Sequence, residues 1–381
     1  MMIARGVLFI LALAVGSLPR FDVSAGEPIR IAAIYALSGP AAASNASSLD
    51  GTRLAVREVN RSGGVLGRPL LLVEIDNLST PIGSKVAADE AVRQGVTAIL
   101  GAAWSSHSLA IARVAQKHAI PMITNMSTHP GITRIGDCVF RVCFTDPFQG
   151  RVMARFALEH VGARDALIIK DLSSDYSLGL AREFRRNFEK GGGRVGLELD
   201  YKHSQENFHE IALQARQARP GIIFIPGHDE SGAIIRETIQ SGVSTVFLGG
   251  DGWVGDSFLD RGGRFLEKGF YCTHWDEKAN TETSRRFVDL ARGSRGPGAG
   301  LVNASEALAF DSVMLVADAL KRAGSTDGEA LRRALSDTRA FEGVTGSISF
   351  NEHGDPFKRA VIMEVSKGST RYLETVTLNR R

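Results

Sequence analysis

The chain has 381 residues, 23% of them charged and 44% hydrophobic, with 45 Lys and Arg against 42 Asp and Glu for a net charge of +3. That length exceeds one ordinary compact domain and predicts two, each able to bury a core of normal size. The balance is near neutral and the basic residues are spread along the chain without interleaved aromatics, which argues against nucleic acid as a partner.

The N-terminus sets the compartment. Arg5 makes a positive start, Val7 to Leu18 an apolar run, and Val23-Ser24-Ala25 a small-residue cleavage site leaving Gly26 as the new N-terminus. About a dozen apolar residues fall short of the roughly 20 needed to span hydrocarbon, and Pro19 and Arg20 close the run. Residues 1–25 are therefore expected to be a cleaved signal peptide and the mature protein to be exported and soluble.

From Ile29 short β-rich runs alternate with helical ones, the pattern of a parallel sheet covered on both faces. Ile29 to Ala36 reads as the first strand, followed by a helix carrying Leu49, Val56 and Val59 that Gly63-Gly64 stops. Strands are expected at Leu70 to Ile75, Thr97 to Leu100 and Pro121 to Thr124, with helices at Ser84 to Gln94 and Leu109 to His118. After Phe140-Arg141 a second series begins. Its helices are Gln149 to His160, Leu178 to Lys190, Phe208 to Ala218 and Gly232 to Gln240, and its strands are Ala166 to Lys170, Arg194 to Leu199, Ile222 to Ile225 and Thr245 to Leu248. Beyond Trp275 come a helical stretch around Thr283 to Ala291, a Gly/Pro/Ser-rich loop to Gly300 and a long helix from Ala304 to Arg322. The tail from Gly346 to Asp355 reads as strand and turn, and Ala360 to Val365 as a last strand. Two α/β lobes of similar build are the expected fold.

Two corners carry the functional signal, Gly101 to Ser108 and Ile123 to Pro130. Residues just past a parallel strand sit at its carboxyl edge, where a following helix directs free N–H groups and partial positive charge. Hydroxyls there suit an anion such as a carboxylate, although a Ser or Thr before a helix is also an ordinary N-cap. His107 reads as a solvent-facing first-turn residue, since no GxSxG elbow surrounds Ser105 and Ser106. Gly250 to Gly255 spells GxGxxG after a strand, yet Asp251 between its first glycines would repel a pyrophosphate. The better reading is an Asp at a strand end, flanked by glycines that allow another molecule close to the backbone, facing a ligand ammonium or forming an Asx-turn. Tyr176, in the loop after the first strand of the second lobe, either covers core or closes over a bound molecule.

Cys138, Cys143 and Cys272 are an odd number for an oxidising compartment, and an extended Val139 to Val142 would hold the first two roughly 16 Å apart, too far for a bridge. Without CxxC or clustered His, no zinc site is expected, and no metal or cofactor motif stands elsewhere.

Taken together these residues resemble the type I periplasmic solute-binding proteins of the leucine/isoleucine/valine class, the receptors of ABC importers. The resemblance rests on Ser38 to Ala42, Asp50-Gly51 through Asn60 to Arg68, Gly101 to Ser106, Pro121 to Thr133, Phe140-Arg141, Tyr176 to Ala181, Gly249-Asp251-Gly252, Phe310 to Ser312 and Phe350 to Asp355, in order. It implies two doubly wound αβα lobes, a Venus flytrap joined by three crossovers near Phe144 to Pro147, Thr273 to Trp275 and Val344 to Ser347. One lobe would hold residues 26–146 and 275–344, the other 147–274 and 345–381. Ser105 and Thr128, with backbone at Trp104 and Met126 and with Ser127 between them, correspond to the carboxylate cradle. Tyr176, Gly227, His228 and Asp251 correspond to the opposing lobe, Asp251 meeting an ammonium. Trp104 is bulkier than usual, Ser177 stands where the family often has Gly, and Pro226 to Asp229 lacks the customary aromatic. The implied function is a periplasmic receptor, monomeric and not catalytic, that closes on an amino acid and serves ABC permease components. The alternatives are a receptor for an amide, urea or small organic or aromatic acid, and an exported hydrolase or oxidoreductase.

Overall fold

The computed structural model describes residues 26–278, 281–295 and 300–377, so the expected signal peptide lies outside the described residues. Two open sheets organise the chain. The first is all parallel, in the order β2 (Leu70–Asp76), β1 (Ile29–Tyr35), β3 (Ala98–Gly101), β4 (Met122–Thr124), β5 (Val139–Arg141). Its strands are short and almost wholly apolar where they are central, as burial on both faces requires.

On one face lie α1 (Ala42–Arg61), α9 (Glu282–Gly293), α10 (Ala304–Ala323) and α11 (Gly328–Ser336), packed through Leu54, Val59, Phe287, Leu308, Val313 and Leu331. On the other lie α2 (Pro81–Arg93) and α3 (Ser105–Lys117). The α1 and α10 backbones come so close that a Cβ at Gly51 would strike the Glu306 carbonyl, which accounts for a glycine in mid-helix.

The second sheet runs β14 (Ser369–Val376), β13 (Ala360–Ser366), β10 (Gly269–Thr273), β9 (Val246–Gly249), β8 (Ile222–Ile225), β6 (Asp165–Asp171), β7 (Arg194–Tyr201). Five strands are parallel, and β13 and β14 join antiparallel from the C-terminal segment. Helices α4 (Asp146–Glu159) and α5 (Asp175–Lys190) cover one face, and α6 (His209–Ala218), α7 (Ser231–Gln240) and α8 (Asp256–Arg261) the other. The doubly wound two-lobe architecture expected from the alternation is therefore present.

Several elements carry no clear sequence pattern. Strand β10, helices α8 and α11 and the outer strand β14 were not anticipated, so Ala360 to Val365 is not the last strand. A short hairpin, β11 (Phe341–Gly343) with β12 (Gly346–Ile348), starts the tail. The chain also stays with the first lobe longer than the third crossover at Val344 to Ser347 implied. Ile348 and Phe350 pack in the same core as Leu308, and the Arg141 amide donates to the Gly354 carbonyl at 3.1 Å.

Buried polar contacts hold the tail in the first lobe and tie the last crossing, before β13, back to it. Asp311 on α10 accepts from the amides of Val344 (2.6 Å) and Thr345 (2.9 Å), and Lys358 reaches back to the Thr345 hydroxyl at 2.6 Å. Burial pushes the Lys358 ammonium down to about 8 against the pull of Asp311. Phe144 and His274, on the first two crossings, lie ring against ring at 3.7 Å. Cys138, Cys143 and Cys272 are buried free thiols.

Candidate functional site

Both corners lie where a ligand could reach them, but they are built differently. The first turns from β3 into α3, whose N-cap is Trp104. The second leaves β4 into an irregular loop, with no helix before β5, so no helix N-terminus stands there. Pro130, Gly131 and Gly136 interrupt that stretch, and Arg141 does the holding instead. Its fully buried guanidinium donates to the carbonyls of Ser127 (2.7 Å) and His129 (2.9 Å) and pairs with Asp355 at 2.7 Å.

Hydroxyls stitch one corner to the other. The Ala102 carbonyl accepts from Thr124 (2.7 Å), Ser127 (3.0 Å) and Ser108 (3.0 Å), and Ser127 also reaches the Ala103 carbonyl at 3.1 Å. Ser127 is thus spent on backbone behind the cleft. Thr128 is buried too, its hydroxyl 3.4 Å from Gln149 Nε2 and its carbonyl accepting from the Asp146 amide at 2.9 Å. Ser105 differs: its oxygen accepts from the His129 amide at 3.2 Å, and the residue lines the cavity between the lobes.

That cavity is walled by Trp104, Ser105 and Met126 from one lobe and by Tyr176, His228 and Asp251 from the other, with Ser44, Ala103, Gly252, Val254 and Ser305 completing it. Ser127, Thr128 and Gly227 do not line it. A Cβ at Gly227 would collide with Tyr201 and Ser231, so its place is behind the wall. Ser44 and Ser305 were missed. Each sits in the first turn of its helix, and the Asn303 side chain that caps Ser305 at 3.0 Å was the available signal.

Asp251 is 2% exposed in a 3-10 turn after β9. Its Oδ2 meets His274 Nε2 at 2.9 Å, whereas Oδ1 has no hydrogen-bond partner among the described residues. His274 Nδ1 faces the Phe144 amide at 3.5 Å, which assigns the ring proton to Nε2, and burial lowers the pKa of this imidazole despite Asp251. A neutral donor satisfies one carboxylate oxygen and leaves the other without a counter-charge, an arrangement that is costly unless a cation completes it.

The glycines beside Asp251 serve the chain itself. A side chain at Gly249 would strike the Trp253 ring, one at Gly250 the Tyr176 hydroxyl, and one at Gly252 the Gly227 carbonyl. What approaches this backbone is therefore the protein, correcting the expectation of another molecule, and a pyrophosphate has no room. The Tyr176 hydroxyl accepts from the Gly252 amide at 3.1 Å, and burial followed by the Asp251 charge keeps it protonated.

Trp104 spans the cleft. Its ring stacks on His228 of the opposite lobe (4.1 Å) and on His107 of its own (5.4 Å), and meets His203 edge-on at 4.8 Å. His107 is not solvent-facing. It is 2% exposed, 3.3 Å from Asn77 Nδ2, because the loop after β2 and the Trp104 indole cover it. Burial pushes both His107 and His228 down to about 4, so the stack is made of neutral rings. Away from the rings, Ser106 accepts from the Asp175 amide at 3.1 Å, a further tie between the lobes.

The periplasmic binding protein family model matches residues 28–370. The Leu/Ile/Val-binding protein homolog 3 of Brucella melitensis is 26% identical over 338 residues, 88% of this chain and 90% of that protein. Among solved structures, the leucine binding protein LivK of Thermotoga maritima has a TM-score of 0.86 at 33% identity, covering 91% of this chain and 98% of that one. The branched-chain amino acid transporter substrate binding protein LivJ of Streptococcus pneumoniae, in complex with isoleucine, also reaches 0.86 at 27% identity, with 92% and 99% covered. A match that takes in both sheets and the segments between them reflects the whole architecture, and the chain belongs to the periplasmic binding protein family.

Proposed function

We propose that this chain is the periplasmic receptor of an ABC importer and that it closes on an α-amino acid. The observation that carries the reading is the buried Asp251 with one unpartnered oxygen, across the cavity from Ser105 and the first corner. In this reading the ligand's ammonium completes Asp251, and its carboxylate accepts hydrogen bonds from the Ser105 hydroxyl and the amides at the start of α3. Trp104, Met126 and His228 then contact the side chain. Placing the two charge partners on separate lobes makes closure depend on the ligand.

The same reading makes residues 1–25 an export signal and gives the protein no catalysis of its own. It makes the protein a monomer that delivers its ligand to permease components. One lobe comprises residues 26–146 and 275–344 together with the tail to Asp355, and the other comprises 147–274 with β13 and β14. The leucine- and isoleucine-related names of the relatives support an aliphatic amino acid as the cargo. An aromatic or other simple acid would leave Asp251 unpaired.

The test is thermal unfolding of the protein with a panel of amino acids, amides and aromatic acids. A ligand at 100 times its dissociation constant adds roughly 2.7 kcal/mol of stability. Asp251→Asn should weaken an amino-acid ligand by about a hundredfold, the loss of a charge-assisted bond and of the counter-charge. A transition moved by simple acids and by no amino acid would refute the reading, as would an Asn variant of unchanged affinity.

A further inference from the structure

We propose that Asp171, His203 and Glu230 form a binding site for one divalent cation of the zinc class, beside the cleft and separate from the cavity described above. Three neighbouring strands of the second sheet, in the order β8, β6, β7, deliver these residues at their carboxyl edge. Asp171 ends β6, His203 lies just past β7, and Glu230 stands in the turn between β8 and α7. None lines the amino-acid cavity. The donors come from a strand end and two loops far apart in the chain, so no local spacing motif marks them.

The geometry points to a shared cation. His203 Nδ1 is 3.8 Å from Asp171 Oδ2 and 3.5 Å from Glu230 Oε2, and the three donor atoms lie within 4.8 Å of one another. Charge-assisted hydrogen bonds close to about 2.7–2.9 Å, so a direct imidazolium bridge would be tighter than this. Two ligands of a tetrahedral ion, each about 2.0–2.2 Å from it, stand roughly 3.3–3.6 Å apart, close to the spacing found.

The second line of support is what the donor atoms lack. Glu230 is 1% exposed at its side chain, and its Oε2 has no hydrogen-bond partner among the described residues; neither has His203 Nδ1. Meanwhile the other oxygens are already fixed. Glu230 Oε1 accepts from the Tyr201 hydroxyl (2.7 Å) and the His228 amide (2.9 Å), and Asp171 Oδ1 accepts from the Ser173 amide (2.8 Å) and hydroxyl (2.5 Å). Outer partners of this kind orient a carboxylate so that its free oxygen meets a metal. A nitrogen ligand with two carboxylates selects zinc-like ions over magnesium. His203 keeps 17% of its side chain exposed, which gives the ion a way in.

The experiment uses untagged, chelator-stripped protein titrated with zinc chloride and, in parallel, magnesium chloride. Calorimetry follows binding, and elemental analysis after gel filtration gives the stoichiometry. One zinc per chain and no heat from magnesium are expected. His203→Ala, at the part-exposed position, should weaken zinc at least about tenfold with unchanged circular dichroism, and Glu230→Gln should do the same if it folds. No retained zinc in the stripped wild type, magnesium binding as tightly as zinc, or a folded His203→Ala variant with wild-type zinc affinity would each overturn the site.

Discussion

Asp146 opens α4, is wholly buried, and has one oxygen accepting from Gln149 Nε2 at 3.0 Å while the other has no partner among the described residues. Burial pushes its carboxyl from the ordinary 3.8 up to about 7; Thr128, Gln149 and Arg141 pull the other way, and the Asp251 charge adds to the rise. Tyr176 and Cys272, which also feel this charge, are held protonated by burial. The folded chain therefore keeps a proton that the unfolded chain releases. Its stabilising effect is complete below the unfolded value and is lost as pH rises through about 7. At about 1.4 kcal/mol per pH unit the loss approaches about 4 kcal/mol, an upper bound for a wholly buried group. Asp146→Asn holds the same shape without the proton. Urea unfolding of both proteins between about pH 4 and pH 8 should show stability falling more steeply in the wild type by up to about 4 kcal/mol in all. Parallel slopes would refute protonation of Asp146 in the fold. A ligand ammonium at Asp251 removes part of the repulsion on Asp146, so binding near neutral pH should release protons, seen as a binding enthalpy that varies with the buffer.

Two further perturbations follow from contacts already described. Trp104→Ala removes the stack on His228 and the edge contact with His203, each worth about 0.5–1.5 kcal/mol, so the closed form loses population. X-ray scattering of the ligand-free variant should give a larger radius of gyration, and an unchanged curve would show that the indole does not hold the lobes. Arg141→Ala breaks a buried pair and frees two carbonyls, costing about 3–5 kcal/mol in urea unfolding, and Arg141→Lys should recover less than half, since one ammonium cannot replace a planar fork. A Lys variant as stable as the wild type would show that charge alone suffices.

The alternation of strands and helices was legible because the central strands are apolar runs and the helices carry apolar residues at helical spacing. Elements with weak patterns were not. Helix α11 starts on Gly328 and buries Leu331 and Leu335 alone, and β14 is an outer strand with no fully buried residue. That Asp251 reaches the cavity was legible because it is an acid at a strand end, where the carboxyl edge of the sheet opens. The division of labour among the hydroxyls was not: Ser105 and Ser127 look alike in sequence, and only the carbonyls of Ala102 and Ala103 decide which one turns inward. His107 shows the same limit, since a first-turn position suggests water while a neighbouring indole supplies cover. The Asp171, His203 and Glu230 group belongs to a strand end and two loops that no window along the chain can bring together.

Strand β10 lies in the middle of the second sheet, buried along its whole length, with β9 on one side and β13 on the other. Its second neighbour is contributed by residues 360–366, after the chain has gone back to build α9, α10 and α11 on the other lobe. During synthesis the apolar edge of β10 therefore stays bare until almost the last residues arrive. An unpaired edge of that kind is a template for association. A chain cut short before Ala360 should accumulate as aggregate, even though every cleft-lining residue would already have been made.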